Sequence, residues 1–204
     1  MAAAEEVRFA RGADLTTAML RQARAFQRER GINNAFFDCG EAERLPYADN
    51  TFDLVTCQFA FHHMARPQAT LAEMVRAARP DGRLYLVDSV GPEEASKAAL
   101  YNHVERLRDP SHSTTLSAKA FLALFDSQGL RVVKQRILAR PRSFNQWMIR
   151  AGHQLSDAGY LAVRQAIEES MPGDRAGFAP RAVGDDISIV HQEGLFLLAK
   201  RADA

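Results

Sequence analysis

The strand-like segment at residues 51–61 constrains the fold more than any other feature of the sequence. It reads "TFDLVTCQFAF", a nearly continuous apolar run. Such a run is typical of a strand that is buried on both faces, as the strands of parallel sheets are. A helical pattern follows at residues 66–82, with apolar side chains three and four positions apart and a "PDG" stop. The strand-like segment and the helical segment after it together predict one strand–helix unit of a layered α/β fold.

The same order of strand and helix recurs along the chain. Further strand-like segments lie at residues 7–13, 35–40, 83–90 and 131–139, and helical patterns lie at residues 16–30, 92–109 and 117–129. Strict alternation predicts a doubly wound α/β fold with a mostly parallel sheet and helices on both faces. The segment at residues 186–201 reads as two closing strands around "QEG", which we expect to form an antiparallel edge.

Length and charge limit the classes of function. The chain has 204 residues, enough for one domain spanning residues 1–204. A net charge of +1 argues against nucleic acid as the main partner. Cys39 and Cys57 form neither a disulfide framework nor a metal-ligand set. No apolar run approaches the roughly 20 residues of a membrane span, so we expect a soluble cytoplasmic protein.

Two acidic residues follow neighbouring strand-like segments, where open α/β sheets bind ligands. The carboxylate of Asp14 can accept both hydroxyl hydrogens of a ribose, or it can cap the helix that follows. Glu41 can accept from the amino group of an adenine, with the amide of Ala42 facing a ring nitrogen, or it can be a solvated loop acid. One adenosine would contact both acids, so the ribose role of Asp14 and the adenine role of Glu41 support each other.

His62 and His63 follow the strand at residues 51–61 and are candidate general bases. The alternative for each is a packed or loop histidine. Adjacent residues of a strand point to opposite faces, so this spacing does not suit a metal pair and we expect no metal site. The position at the carboxyl end of a strand favours a catalytic role for one of the two.

Two further groups leave alternatives open. Tyr101 and Glu105 are four residues apart on a helix, so they can form a polar face beneath a pocket or lie on an exposed helix with local ion pairs. Phe144, Trp147 and Met148 can form the apolar wall of an acceptor pocket or belong to an ordinary core.

Four segments together resemble a known enzyme family. "GADLTTAML", "GEAERLPYADNTFDLVTCQFAFHHM", "MVRAARPDGRLYLVDSV" and "YNHVERLRDPSH" are similar to class I S-adenosylmethionine-dependent methyltransferases, in particular to the small-molecule branch related to the ubiquinone/menaquinone C-methyltransferases. The likeness runs from about Val7 to about Val133. It implies a Rossmann-like, seven-stranded, mostly parallel sheet whose last strand is antiparallel.

The resemblance also implies a cofactor and a reaction. The cofactor would be S-adenosylmethionine, and the methyl acceptor would be a small molecule. By position, the residues implied at the cofactor are Asp14 at the ribose, Leu15, Glu41 and Ala42 around the adenine, and Gln58 after the fourth strand of the family. His62 and His63 would face the transferred methyl group and the acceptor.

The sequence departs from this family at its beginning. Relatives start with a strand and a glycine-rich GxGxG turn, and no such spacing of glycines occurs in this chain. We expect "MAAAEE" to be the tail of the helix that follows that turn, so the domain is N-terminally incomplete and its central first strand is absent. The uncovered strand edges would then invite pairing with a second chain, as in a homodimer.

Three interpretations of this departure remain open. The chain can be a methyltransferase whose start is assigned too late, or a fragment of one. It can instead be complete and free of cofactor, a binding or regulatory protein that acts as a dimer or as the partner of a complete methyltransferase. Thirdly, it can be a cofactor-free enzyme that uses the histidines and Asp88 for proton transfer. The persistence of the adenosine-side residues favours the first.

Overall fold

A computed structural model describes residues 6–201, which form a mixed α/β fold. The strands of this part are Ala10–Asp14 (β1), Ala35–Cys39 (β2), Phe52–Gln58 (β3), Ala78–Val90 (β4), Leu130–Ser143 (β5), Arg181–Val183 (β6) and Asp186–Lys200 (β7). The helices are Thr17–Glu29 (α1), Pro67–Ala77 (α2), Ala95–Arg108 (α3), Ala118–Ser127 (α4), Phe144–Arg150 (α5) and Ala158–Ser170 (α6), with a 3-10 turn at Phe61–His63. The helical tail expected at the start of the chain falls almost wholly outside the described residues.

The described strands form two sheets. β1 and β2 pair in parallel, with Ala10 opposite Ala35 and Asp14 opposite Cys39. The larger sheet has the order β3-β4-β7-β5, and β6 pairs with β7. β3 and β4 are parallel, whereas β7 is antiparallel to each of its neighbours. The sheet is therefore mixed, with less parallel pairing than the sequence pattern predicted.

The C-terminal segment corrects two expectations. Residues 186–200 form one continuous strand rather than two strands around "QEG", and this strand lies between β4 and β5 rather than at an edge. Gly194 is the reason for the misreading. A Cβ atom at this position would lie 2.6 Å from the ring of Phe196 and 2.7 Å from Val90, so the glycine permits close packing and does not mark a turn.

The outer edge of the larger sheet is β5. Most of its side chains are exposed, and they include Arg131, Lys134 and Arg136. Charged side chains are a common protection of an edge strand against pairing with other chains. An interior strand such as β7 instead buries alternate apolar residues, including Ile187 and Ile189.

The helix predicted after β1 is confirmed as α1, which ends before Gly31 with its positive φ of 64°. The apolar face of α1 is largely uncovered, because Leu20 is buried but Met19 and Phe26 are exposed. The guanidinium of Arg30 lies 4.7 Å from the centre of the Phe26 ring and covers part of that side chain.

Two apolar clusters make up the core. The first packs the larger sheet against α2 and α4, with Leu71, Leu86, Phe121 and Phe196 fully or almost fully buried. The second cluster packs α3, α5 and α6 against the N-terminal part of β7. It contains Phe144, Trp147 and Met148. Phe144 and Met148 therefore belong to the core, whereas Trp147 belongs to it and also lines a surface recess. The second cluster lies beside the carboxyl ends of β3 and β4 and supports the candidate site.

Candidate active site

Two recesses lie on either side of the segment that follows β3. The first, here called the inter-sheet recess, has a volume of about 370 Å³ and is lined by residues of β1 and β3 together with Ala42, Gln58 and Met64. The second, here called the histidine recess, has a volume of about 540 Å³ and is lined by Phe59, His62, His63, Ser89, Glu105, Arg108, Asp109, Thr115, Arg142, Trp147, Arg150, His191 and Glu193.

Residues 58–64 form the wall between these two recesses. Gln58, Ala60 and Met64 face the inter-sheet recess, and Phe59 and the two histidines face the histidine recess. Phe59 has a φ of 48°, which is uncommon for a residue with a large side chain. Its backbone N–H donates to the carbonyl oxygen of Val87 at 2.8 Å, which ties the strained residue to β4. The wall is therefore fixed to the sheet.

His62 is held by Asp88, a buried carboxylate at the end of β4. Nδ1 of His62 lies 2.5 Å from Oδ1 of Asp88, and the backbone N–H of His62 donates to Oδ2 at 3.1 Å. The backbone N–H of Ser89 also donates to Oδ1, at 2.6 Å. An ionised carboxylate only accepts hydrogen bonds, so Nδ1 carries the hydrogen of a neutral His62 and Nε2 is left as the basic nitrogen.

The environment raises the pKa of His62 above its ordinary value of 6.5. Burial opposes the charged form, but the hydrogen bond to Asp88 and the negative charge of Asp88 favour it more strongly. Glu105 and Asp109 add smaller contributions of the same sign. His62 is therefore a stronger base than a free imidazole.

Two other histidines lie beside His62. The ring of His63 has its centre 4.2 Å from that of His62, and Nδ1 of His63 lies 3.0 Å from Oγ of Ser111. The ring of His112 is 5.5 Å from that of His62, and its Nε2 hydrogen-bonds Oδ1 of Asn102 at 2.8 Å. Burial, with the charges of neighbouring cations, lowers the pKa of His112 to about 4. Within residues 6–201 these histidines do not form a group that could hold a metal ion.

A buried polar pair supports the floor of the histidine recess. Oε1 of Glu105 on α3 lies 3.2 Å from Nε2 of His191 on β7, and Nη1 of Arg108 lies 3.8 Å from Oε2 of the same carboxylate. Burial alone would raise the pKa of Glu105, but His191 and Arg108 lower it. Tyr101, one turn earlier, is fully buried and stacks on Phe178. The alternative of an exposed helix face at Tyr101 and Glu105 is therefore wrong.

The histidine recess adjoins a third one, here called the arginine recess. Its volume is about 490 Å³, and it is lined by Arg140, Pro141, Arg142, Ser143, Gln146, Trp147, Arg150 and Glu193. Nε of Arg140 donates to Glu193 at 3.0 Å, and Arg142 donates to the other oxygen of the same carboxylate. The guanidinium of Arg108 lies 4.6 Å from the centre of the Trp147 ring.

The structure places the acidic residues predicted at the adenosine on neighbouring strand ends. The backbone N–H of Gly40 donates to the carbonyl oxygen of Asp14 at 3.2 Å, and Glu41 follows directly. Oδ1 of Asp14 accepts from the N–H of Thr16 at 2.7 Å just before α1. Ala42 and Gln58 line the inter-sheet recess, whereas Asp14, Leu15 and Glu41 are absent from its lining.

Several contacts of the site were not identified from the sequence. Asp88 stood at a strand end, but its pairing with His62 was not predicted because 26 residues separate the two. The contact of Glu105 with His191 joins residues 86 positions apart, and the contacts of Arg140 and Arg142 with Glu193 join residues more than 50 apart. These contacts depend on how β5 aligns with β7 and on how α3 packs beside β7. The local sequence carries no signal for either.

None of the helices in the described part of the chain is long and apolar enough to cross a membrane.

Comparison with known proteins gives matches in sequence. A family model described as a methyltransferase domain matches residues 2–86. YcgJ of Bacillus subtilis, an uncharacterized methyltransferase, is 36% identical over 141 residues, which are 69% of this chain and 56% of YcgJ. The demethylmenaquinone methyltransferase of Mycobacterium bovis is 32% identical over 126 residues, which are 61% of this chain and 48% of that enzyme. The chain thus spans about half the length of these relatives.

Solved structures match as well. The crystal structure of YcgJ superimposes with a TM-score of 0.86 and 29% identity, covering 97% of this chain and 84% of that one. A putative methyltransferase from Bacillus halodurans has the same TM-score with 25% identity, covering 94% of this chain and 83% of its own.

Proposed function

The chain belongs to the methyltransferase domain family, as its sequence motifs indicated, and on that premise we propose that it transfers the methyl group of S-adenosylmethionine to a small-molecule acceptor. One observation carries the proposal. The wall at residues 58–64 separates the inter-sheet recess, which is lined by two of the adenosine-side residues, Ala42 and Gln58, from the histidine recess, which is lined by the Asp88-bound His62. A cofactor on one side and an acceptor on the other would meet at this wall.

The residues present suit the adenosine half of the cofactor. Oδ1 of Asp14 is engaged by Thr16, and no hydrogen-bond partner of Oδ2 occurs within residues 6–201, so this oxygen is available to a ribose hydroxyl. Ala42 has a short side chain that leaves its backbone amide open to a ring nitrogen. We therefore assign Asp14, Leu15, Glu41, Ala42 and Gln58 to the adenosine half. For the methionine half, this sequence contains no GxGxG segment.

The bound cofactor supplies an electrophilic methyl group, and the protein's own residues align the acceptor and manage its proton. The reaction is an in-line displacement, so alignment provides much of the acceleration. Nε2 of His62 accepts the proton of the acceptor, while Asp88 holds the opposite ring nitrogen and stabilises the imidazolium that forms. A positioned base contributes about 10²–10⁴ in rate. His63 lines the same recess beside His62 and helps to orient the acceptor.

Calorimetric titration of the purified chain with S-adenosylhomocysteine tests the proposal. We expect saturable binding with one site per chain. The variant His103→Gln, which changes an exposed histidine of α3, is the matched control for His62→Gln in methyl-transfer assays, and both variants should bind S-adenosylhomocysteine like the unmodified chain. Absence of binding would overturn the proposal.

A second candidate is a cofactor-free binding or regulatory protein that acts as a dimer or as a partner subunit. The observation that favours it lies at the inter-sheet recess. β1 and β3 each have a strand partner on one side only within the described residues, and Phe9 and Leu54 are exposed beside the recess that both strands line. A dimer in mass measurements, together with no heat on addition of S-adenosylhomocysteine, would favour this candidate over methyl transfer.

A further inference from the structure

The arginine recess lies against the histidine recess and shares four lining residues with it. Arg142, Trp147, Arg150 and Glu193 line both. A molecule whose reacting atom lies beside His62 can therefore extend past Trp147 into the arginine recess. The two volumes, about 540 and about 490 Å³, are each of the size of small-molecule sites.

The charges around the arginine recess do not cancel. Three guanidinium groups line it, those of Arg140, Arg142 and Arg150, and one carboxylate, that of Glu193, so their net charge is +2. The remaining lining residues carry no ionisable side chain apart from the weakly acidic hydroxyl of a serine. An excess of positive charge in a concave surface attracts anions.

Glu193 orients two of these guanidinium groups. Its side chain is only 11% exposed and it accepts from both Arg140 and Arg142. Each guanidinium has five N–H donors, so one contact to Glu193 leaves most of the fork free for another acceptor. A shared carboxylate thus holds two forks in place and reduces the entropy lost when an anion binds.

Arg150 supplies the third cation without a partner of its own. It is exposed on α5, and none of residues 6–201 forms an ion pair or hydrogen bond with its side chain. Arg108, by contrast, is engaged by Glu105, by the carbonyl oxygen of Trp147 and by the Trp147 ring. Arg150 therefore adds an unpaired positive charge to the lining that the two recesses share.

We propose that the methyl acceptor carries an anionic group, a phosphate or a carboxylate, which the arginine recess binds while the reacting atom of the acceptor lies beside His62. This inference rests on the proposed function for the identity of the ligand as acceptor. The anion site itself rests only on the arginines. Planar guanidinium forks match the oxygen geometry of phosphate and carboxylate, and such charge-assisted bonds are the strong ones.

Trp147 provides a direct measure of anion binding. It is the only tryptophan of the sequence, it is 5% exposed, and it lines both recesses. Its fluorescence therefore reports on this region alone. Sodium pyrophosphate is titrated into the purified chain at constant ionic strength, and disodium malonate is titrated in a second arm. Calorimetry of the same mixtures gives an independent readout.

We expect saturable binding of at least one of the two probes. Arg150→Gln and Arg140→Gln should each weaken it about tenfold, the loss of one charge-assisted contact. Arg131→Gln is the matched control. It changes an exposed arginine on the same strand as Arg140 but nine residues away, about 30 Å along the strand, and should leave the affinity unchanged. Tighter binding of pyrophosphate assigns a phosphate, and tighter binding of malonate assigns a carboxylate.

Two results would overturn the anion site. The first is neither heat nor fluorescence change with either probe. The second is an equal loss of affinity in Arg131→Gln and Arg150→Gln, which would mean that only the overall charge matters. Neither depends on methyl transfer, because S-adenosylmethionine is absent from the titration. A chain that binds pyrophosphate but not S-adenosylhomocysteine would keep the anion site and lose the proposed function.

Discussion

Nδ1 of His62 and Oδ1 of Asp88 lie 2.5 Å apart, and the side chain of Asp88 is 0% exposed. The histidine belongs to the turn after β3 and the aspartate to the end of β4, so the parallel pairing of these strands creates the contact. The imidazole is 18% exposed and reaches the histidine recess. A buried carboxylate thus fixes the tautomer and orientation of a partly accessible base.

The pKa of His62 is the first quantity to measure. Because Asp88 outweighs the effect of burial, the imidazole of His62 should titrate above 6.5, while that of His112 should titrate at about 4. Two-dimensional NMR of the histidine rings resolves both. Asp88→Asn removes the charge and should lower the pKa of His62. A His62 that titrates below 6.5 in the unmodified chain would contradict the pairing.

The raised pKa also predicts the pH dependence of activity and stability. A general base acts when deprotonated, so turnover should rise with pH through the pKa of His62. The contribution of this residue to folding has the opposite sense. This stabilisation is fully present below pH 6.5, the ordinary pKa of a histidine in an unfolded chain. It is lost as the pH rises through the higher pKa of His62 in the folded protein. Urea unfolding of the unmodified chain and of His62→Gln at several pH values separates the two effects.

Asp14→Asn tests the ribose contact. Asparagine keeps an oxygen for the N–H of Thr16 but replaces the free acceptor with an amide, so the start of α1 is preserved. Affinity for S-adenosylhomocysteine should fall by about 1.5–3 kcal/mol, the value of hydrogen bonds to a charged group. Asp81→Asn, at an exposed position of β4, is the control. Unchanged affinity in Asp14→Asn would reject the assignment.

His63→Ala distinguishes an acceptor-side role from a cofactor-side role. His63 lines the histidine recess and not the inter-sheet recess. The variant should therefore lower turnover by about tenfold or more and leave S-adenosylhomocysteine affinity unchanged. The opposite pattern, weaker cofactor affinity with normal turnover at saturation, would place His63 in the cofactor site.

Glu105→Gln tests the buried pair beneath the recess. The variant should lower the free energy of unfolding at neutral pH by about 1–3 kcal/mol, because His191 and Arg108 lose their charged partner. The pKa of Glu105 is below its ordinary value of 4.5, so its contribution is present above 4.5 and is lost as the pH falls through the folded pKa. The difference between variant and parent should therefore shrink in acid. A pH-independent difference would mean that packing, not charge, accounts for it.

Phe196→Ala tests the core contacts that hold β7 between its neighbours. Phe196 is 0% exposed and its ring lies 5.3 Å from that of Phe121 and 5.2 Å from that of Phe125. The free energy of unfolding should fall by about 3–5 kcal/mol in urea denaturation. Leu161→Ala, at a side chain that is 55% exposed, should lower the free energy of unfolding much less. Equal costs would show that β7 does not depend on this packing.

Much of the architecture followed from local pattern. The apolar run at residues 51–61 predicted a parallel strand buried on both faces. β3 does pair in parallel with β4, but none of its seven residues is buried and Leu54 is exposed, so the predicted burial is wrong. The helical pattern after β1 predicted α1, and the motifs identified the family. The C-terminal segment was predicted as two strands because a glycine in a sequence pattern indicates a turn. Gly194 instead lies within β7, where the side chains of Phe196 on the same strand and Val90 on β4 leave no room for a Cβ atom.

The sequence by itself determined the order of strands and helices up to β5, the family, and the positions of His62 just after a strand and of Asp88 near the end of one, because hydrophobic periodicity and short motifs are local properties of a chain. The tertiary structure alone decided that Asp88 holds His62, that Glu105 meets His191, and that Arg140 and Arg142 share Glu193. Those contacts join residues from 26 to 86 positions apart. Strand register and helix packing bring such residues together, and both depend on burial of the whole core rather than on any single segment.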